Sequence, residues 1–155
     1  MNRPLETPKI HTRNKDGFTL VELIVVVAII GILASIAIPQ FAGLISKGQE
    51  ATTKGNLASL RSALSIYYSD TEGHYPYDDL TSLSSNSKYL SAIPAAKLPA
   101  MSGYNTGHPD NSVVATPSVT DAGGWSYDNS GDANFGTIVV NCMHSDSKGI
   151  SWSSY

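Results

Sequence analysis

One segment limits what this chain can become. From Phe18 to Phe41 the sequence is apolar apart from Thr19, Ser35 and Gln40, and Glu22 is its only charge. A helix rises about 1.5 Å per residue, so the run reaches across a hydrocarbon core of roughly 30 Å. It therefore reads as a transmembrane helix. A carboxylate so near the start of such a helix costs on the order of 3 kcal/mol if it must sit in lipid. Glu22 thus calls for an interaction that offsets its burial.

The flank decides the orientation. Arg3, Lys9, Arg13 and Lys15 outnumber Glu6 and Asp16 in the first seventeen residues, and that stretch has no apolar core of its own. The positive end is expected to stay cytoplasmic and the C-terminal part to be translocated. A secretory signal loses its apolar region on cleavage. A processing point between Gly17 and Phe18 lies ahead of the apolar run instead, so cleavage there keeps the helix and exposes a new amine on Phe18.

Gly17-Phe18-Thr19-Leu20-Val21-Glu22, continued by Leu23 to Ala34 and closed by Ile36-Ala37-Ile38-Pro39-Gln40-Phe41, resembles the class III signal and N-terminal helix of type IV pilins and of the pseudopilins of type II secretion. The resemblance covers about the first third of the chain. It implies that a prepilin peptidase cuts after Gly17 and that Phe18 becomes N-methylated. It also implies that Glu22 neutralises the Phe18 amine of a neighbouring subunit during assembly into a helical filament. The implied partners are further copies of the chain, the peptidase, an inner-membrane assembly platform and the inner membrane itself. The implied destination is an extracellular pilus or a periplasmic pseudopilus. Two opposite charges in a low-dielectric bundle each make the other less costly, which agrees with that role for Glu22.

Charge and cysteine content narrow the rest. The chain has ten basic and thirteen acidic residues; four basic and two acidic ones lie in the first seventeen, so six and eleven remain after them. An acidic balance of this kind does not attract nucleic acid, and no nucleic-acid partner is expected. Cys142 is the only cysteine, so no intramolecular disulfide can close the C-terminal region, unlike in many pilins. The single thiol reads as a buried small hydrophobe.

Beyond Phe41 the helical pattern continues with polar residues interleaved. Leu44, Ile45, Gly48, Ala51, Leu57, Leu60, Ala63, Leu64, Tyr67 and Tyr68 recur at three- and four-residue steps among Lys47, Glu50, Lys54 and Arg61. This predicts one helix from about Phe18 to about Ser69. Gly31 and Pro39 weaken it, Pro39 by removing a backbone donor, and mark a kink unless both are tolerated packing residues. Gly73 and Pro76 punctuate its end, in a tyrosine-rich setting that also resembles the family.

The expected fold class is α+β: a long N-terminal helix, transmembrane in its first half, packed on a small C-terminal antiparallel sheet as in pilins. The segments are a leader over 1–17, a filament-core helix over 18–41, its amphipathic continuation over 42–69 and a head over 70–155. In the head, a short helical pattern surrounds Leu80 and Leu83, and residues 100–124 read as loop with one short strand near Val113 and Val114. Strands are expected at Trp125 to Tyr127, Thr137 to Cys142 and Ile150 to Tyr155. Ile138, Val140 and Cys142 would share the face that meets the helix.

Catalytic patterns are absent: the sequence has no Walker loop, serine-triad motif or dinucleotide fingerprint, and no enzyme activity is expected. His74, His108 and His144 with Cys142 lack the paired spacing of zinc sites. Asp128 and Asp132 lie in an oxygen-rich loop that resembles the calcium-holding region of major pseudopilins, but the same residues also make an ordinary turn. No other cofactor is expected. The function implied is a structural subunit of a type IV pilus serving adhesion, motility or DNA uptake. The alternatives are the major pseudopilin of a type II secretion system and a minor pilin acting as a binding tip.

Processing is the first expected outcome. Protein from its native host should begin at Phe18 with a methylated amine, and intact-mass measurement checks it. A chain still starting at Met1, or cut after Phe41, would contradict the prepilin reading.

Overall fold

A computed structural model describes residues 17–100 and 107–155, so all of the expected leader over 1–17 except Gly17 lies outside the described part. One helix dominates the chain. Helix α1 (Leu20–Asp70) includes Pro39 within its length. The chain divides into two compact units, one ending at Pro39 and the other running from Gln40 to Tyr155.

In the first unit every large apolar side chain from Phe18 to Pro39 is exposed, as are those that follow up to Ile45. An isolated helix that is apolar all round has no packed face and belongs in lipid or among other helices. This is the one helix among the described residues that is long and apolar enough to cross a membrane. Ser35 donates its hydroxyl to the Ile32 carbonyl at 2.7 Å, four residues before Pro39, whose ring removes the donor that would meet the Ser35 carbonyl.

The second unit is built on one stripe of α1. Glu50, Thr53, Leu57, Leu60 and Leu64 follow three- and four-residue steps and are buried, with Ala63 beside them. The stripe is shorter than the sequence pattern predicts, because Leu44, Ile45 and Ala51 are exposed in the single chain. Within this unit the head covers the helix from Glu50 onward, and there it uses polar anchors as well as apolar ones. Thr53 exchanges hydrogen bonds with Lys97, receiving the Lys97 N–H at 2.7 Å and donating to its carbonyl at 2.6 Å. Asn56 donates to the Ala95 carbonyl at 2.9 Å.

After α1 come α2 (Thr81–Ser84) and strands β1 (Ala96–Leu98), β2 (His108–Asn111), β3 (Val114–Ala115), β4 (Trp125–Tyr127) and β5 (Ile138–Val140). Strands β1 and β2 pair antiparallel, and β3, β4 and β5 form a second sheet in that order. Trp125 stands opposite Val140 and Tyr127 opposite Ile138 in the antiparallel β4–β5 pair. The fold is therefore α+β with a small antiparallel sheet against the helix stripe. Ile138, Val140 and Cys142 are buried with Leu57, Leu60 and Leu64, as their alternation predicts. Buried polar tips on the large side chains find partners: Trp125 donates its indole N–H to the Pro94 carbonyl at 2.7 Å, and Tyr127 its hydroxyl to the Pro76 carbonyl at 2.8 Å.

Three features differ from the pattern-based expectation. Strand β1 forms where the sequence pattern gives no strand and β2 within the stretch that reads as loop, because their pairing comes from each other and not from β-rich composition. The edge strand β3 runs parallel to β4. The third C-terminal strand does not form. Ser145 and Ser151 make a single bridge, and Trp152–Ser154 turns into a 3₁₀ segment. Three residues per turn bring Trp152 and Tyr155 to the same side, where their rings lie 5.7 Å apart.

Leu60, fully buried on α1, and Ile66, exposed on the same helix, separate packing from helix propensity. Leu60→Ala should cost about 2–5 kcal/mol, and Ile66→Ala no more than about 0.5 kcal/mol. Denaturant unfolding followed by the fluorescence of buried Trp125 and Trp152 checks this, and equal shifts from both substitutions would contradict the assigned core.

Candidate functional site

The N-terminus of α1 is organised by a reciprocal cap. Thr19 precedes the first helical residue, and its hydroxyl receives the Glu22 N–H at 3.2 Å. The Glu22 carboxylate reaches back to accept the Thr19 N–H and hydroxyl, each at 2.8 Å. This is the capping-box arrangement, with Ser or Thr at the cap and Glu three residues later. The pattern Thr19-Leu20-Val21-Glu22 carries that signal in sequence. It gives Glu22 a local structural role alongside any role toward a neighbour. Gly17 and Phe18 lie just ahead of the cap, with Phe18 80% exposed. Gly31 is within α1 and a Cβ there would meet nothing outside its own helix within 4 Å.

At the other end of the covered stripe, α1 grips the C-terminal segment. Buried Glu50 accepts the Ser147 N–H at 2.8 Å and its hydroxyl at 2.6 Å. Lys54 donates to Asp146 and to the Tyr155 hydroxyl, each at 2.7 Å, and that hydroxyl donates on to Asp146 at 2.6 Å. The Lys54 ammonium also sits 4.0 Å from the centre of the Tyr155 ring. Arg61 closes the row by donating to the carbonyls of Ile138 at 2.9 Å and Tyr155 at 2.6 Å. Burial alone would raise the Asp146 carboxyl, but hydrogen bonds from Lys54, Tyr155 and the backbone of Ile150 and Lys148 outweigh it and hold the group well below the usual carboxylate range.

A third group assembles where the two sheets end. His108 stands on β2, Asp121 in the loop before β4, and Cys142 and His144 follow β5. One ligand atom from each lies within 4.8 Å of the others. Asp121 Oδ1 is 3.4 Å from His108 Nε2 and 3.6 Å from His144 Nδ1, while Cys142 Sγ is 3.5 Å from His144 Nδ1. The loop is fixed from below by buried Asn141, whose side-chain oxygen accepts the N–H groups of Thr120 at 2.6 Å and Asp121 at 3.1 Å. Met143 donates its N–H to Asp121 Oδ1 at 2.8 Å, the main reason that carboxyl lies below its ordinary range. Burial pushes the Cys142 thiol up to about 11.

Sequence spacing brings together only Cys142 and His144; His108 and Asp121 arrive through strand pairing and a turn that no short motif announces. His74 is elsewhere, with Nδ1 2.9 Å from the Thr71 carbonyl oxygen. Asp128 and Asp132 each hold a local turn: Asp128 accepts the Ser130 N–H at 3.0 Å, and Asp132 that of Asn134 at 2.8 Å. Neither belongs to a group of three or more metal-type ligands among the described residues.

The prokaryotic N-terminal methylation motif matches residues 12–38. Fimbrial protein EcpC of Eikenella corrodens is 38% identical over 82 residues, 51% of this chain and 53% of that protein. The type IV major pilin protein PilA of Myxococcus xanthus is 41% identical over 68 residues, 44% of this chain and 30% of PilA. Type II secretion system core protein G of Escherichia coli is 34% identical over 95 residues, 61% of this chain and 60% of protein G. The chain thus spans about half or less of the two pilus proteins and 60% of protein G. No solved structure matches it.

The Asp146 network generates a pH-dependent expectation. The folded chain keeps Asp146 ionised to lower pH than the unfolded chain does, so the unfolded chain takes up the proton first as pH falls. Its contribution is whole above about pH 5 and drains as pH falls through about 4 and below. Because Lys54 keeps partial access to water, Asp146→Ala should cost about 2–3 kcal/mol at pH 7 rather than the full penalty of a deeply buried pair. Urea midpoints of both proteins should differ at pH 7, and the difference should shrink progressively as pH falls below about 4, without vanishing at pH 3. A difference that persists unchanged at pH 3 would contradict the assignment.

Proposed function

We propose that this chain, a bearer of the prepilin N-methylation motif with pilin and pseudopilin relatives, is the repeating structural subunit of a type IV pilus. The observation that carries this is the uncovered apolar helix: its large side chains from Phe18 to Phe41 are 46% to 80% exposed in the single chain, and Glu22 is the only charge among them. Such a surface is at home in lipid before assembly and among copies of itself afterwards. Lipid tails are as apolar as Leu, so the exchange gains little from the hydrophobic effect and depends on side-chain packing and polar pairing between helices.

In this proposal the peptidase cuts between Gly17 and Phe18, and methylation follows on the Phe18 amine. Glu22 meets the Phe18 amine of a neighbouring copy, which guides the subunit from the inner membrane, through the assembly platform, into the fibre. The capping box holds the carboxylate in place at the helix start before docking. Gly31 and Pro39 bound the stretch proposed to bend or loosen as the helix enters the filament, since Pro39 leaves one backbone bond unmade. The function lies in assembly and not in catalysis.

A second role has one specific observation behind it. The match to type II secretion core protein G extends over 95 residues, beyond what the apolar helix alone could supply. It supports a major pseudopilin in a periplasmic filament as the alternative, built by the same helix contacts.

Glu22 variants test the shared mechanism. Glu22→Gln keeps the capping box, which accepts Gln at that position, but removes the charge; Glu22→Ala removes both. Both should enter the membrane at wild-type levels. Both should lower sheared-filament yield about tenfold or more, the scale expected when one member of a buried ion pair is lost. Normal filament yield from Glu22→Gln would leave Glu22 with the cap alone and overturn the charge-pairing step.

A further inference from the structure

We propose that His108, Asp121, Cys142 and His144 form a tetrahedral zinc site that fastens the β1–β2 sheet to the β3–β4–β5 sheet. The donor set is two imidazoles, one thiolate and one carboxylate, the ligands that zinc takes in four-coordinate sites. Nitrogen and sulfur donors exclude calcium and magnesium, which take oxygen. The spacing fits as well. With zinc–ligand bonds of about 2.0–2.3 Å, the edges of a tetrahedron are about 3.3–3.6 Å long. Three pairs already stand at such lengths: 3.4 Å for His108 Nε2 to Asp121 Oδ1, 3.6 Å for His144 Nδ1 to Asp121 Oδ1, and 3.5 Å for Cys142 Sγ to His144 Nδ1.

The polar balance of His108 points the same way. Its Nε2 is buried and makes no well-aligned hydrogen bond, its contact with Asp121 Oδ1 being long at 3.4 Å. A buried nitrogen left this way is costly, and native structures give such atoms a partner. A metal ion among the four side chains supplies one.

The surroundings hold the ligands in place. Asp121 has a positive φ of 60°, and Asn141 and Met143 pin its backbone and its Oδ1. A carboxylate oxygen that accepts a backbone N–H while binding metal is the kind of outer support that orients ligands in metal sites. Gly123 makes room for His108: a Cβ at that position would come within 2.9 Å of the His108 Cβ. Cys142 is 1% exposed, whereas about a third of the His144 side chain reaches solvent and offers the route of entry.

Binding exchanges the Cys142 thiol proton for the metal, and the proton leaves to water. The thiolate and the Asp121 carboxylate then balance the two charges of the ion, so the occupied site is neutral, as a buried site must nearly be. With four protein ligands it has no open position for a reacting water, which makes it structural. In a chain whose single cysteine forbids an internal disulfide, the ion would be the cross-link between segments that the backbone joins only through long loops.

The test uses untagged full-length protein in detergent, stripped with chelator and then titrated with Zn²⁺ or with Co²⁺ as a spectroscopic probe. The expected result is one ion per chain, tetrahedral Co²⁺ bands with thiolate-to-metal charge transfer, and a melting midpoint that rises with zinc and falls with chelator. Cys142→Ser should abolish the charge-transfer band. His108→Gln and His144→Gln should weaken binding at least tenfold, while Asp128→Asn, outside the group, should leave it unchanged. Far-UV circular dichroism reports whether each variant folds, and the partly exposed His144 supplies the substitution least dependent on packing. Substoichiometric zinc in the wild type, an octahedral cobalt spectrum, or wild-type affinity in folded His144→Gln would overturn the proposal.

Discussion

The rest of the molecule depends on a helix surface whose large apolar side chains are exposed among the described residues. From Phe18 to Phe41 the large apolar side chains are exposed in the single chain. In water this would drive aggregation; in a bilayer it satisfies both the side chains and the backbone, whose hydrogen bonds are internal to the helix. One carboxylate near its start breaks the pattern. Glu22 makes the segment costlier to bury in lipid than a wholly apolar anchor. The Thr19 cap gives that carboxylate two hydrogen bonds within its own chain, which lowers the cost of the charge.

The head solves a different problem, since a small sheet with one cysteine must hold together without an internal disulfide. Packing along Leu57, Leu60 and Leu64 provides the apolar part. Polar contacts from the same helix provide the rest: Glu50 to Ser147, Lys54 to Asp146 and Tyr155, Arg61 to Ile138 and Tyr155. These partners lie 77 to 101 residues away in sequence from the helix positions that bind them. The C-terminal end is thereby part of the fold and not an appendage to it. The 3₁₀ turn at Trp152 serves this arrangement, because an extended strand would have carried the Tyr155 ring away from Lys54.

Much of this is legible in sequence where periodicity or β-branched composition is strong. The helix falls within two residues of its expected limits at Phe18 and Ser69, and Trp125 to Tyr127 pairs with Ile138 to Val140 as their residues suggest. Where a segment owes its structure to a distant partner, the sequence is silent. His108 to Asn111 contains Pro109 and no β-branched residue, yet it forms a strand because Ala96 to Leu98 lies beside it. Ile150 to Tyr155 has strand-like composition but follows Asp146, whose side chain accepts the Lys148 and Ile150 N–H groups and turns the chain. The sequence offers His108, Cys142 and His144 as conceivable ligands but gives no paired spacing to join them, and nothing in it adds Asp121, for the same reason. The four residues come from three segments, and only the Cys142 to His144 pair is close in sequence. The Thr19 to Glu22 cap, by contrast, is a short motif written directly in the sequence.

The central claim is that the apolar surface of α1 leaves lipid for the company of other copies of the same helix. Helical reconstruction of filaments taken from the native host tests it most directly. The expected result is a core of packed helices from Phe18 to Phe41, with each Glu22 carboxylate within ion-pair distance of a neighbouring Phe18 amine. Filaments held together by head contacts alone, with these helices outside the core or Glu22 facing no amine, would contradict it.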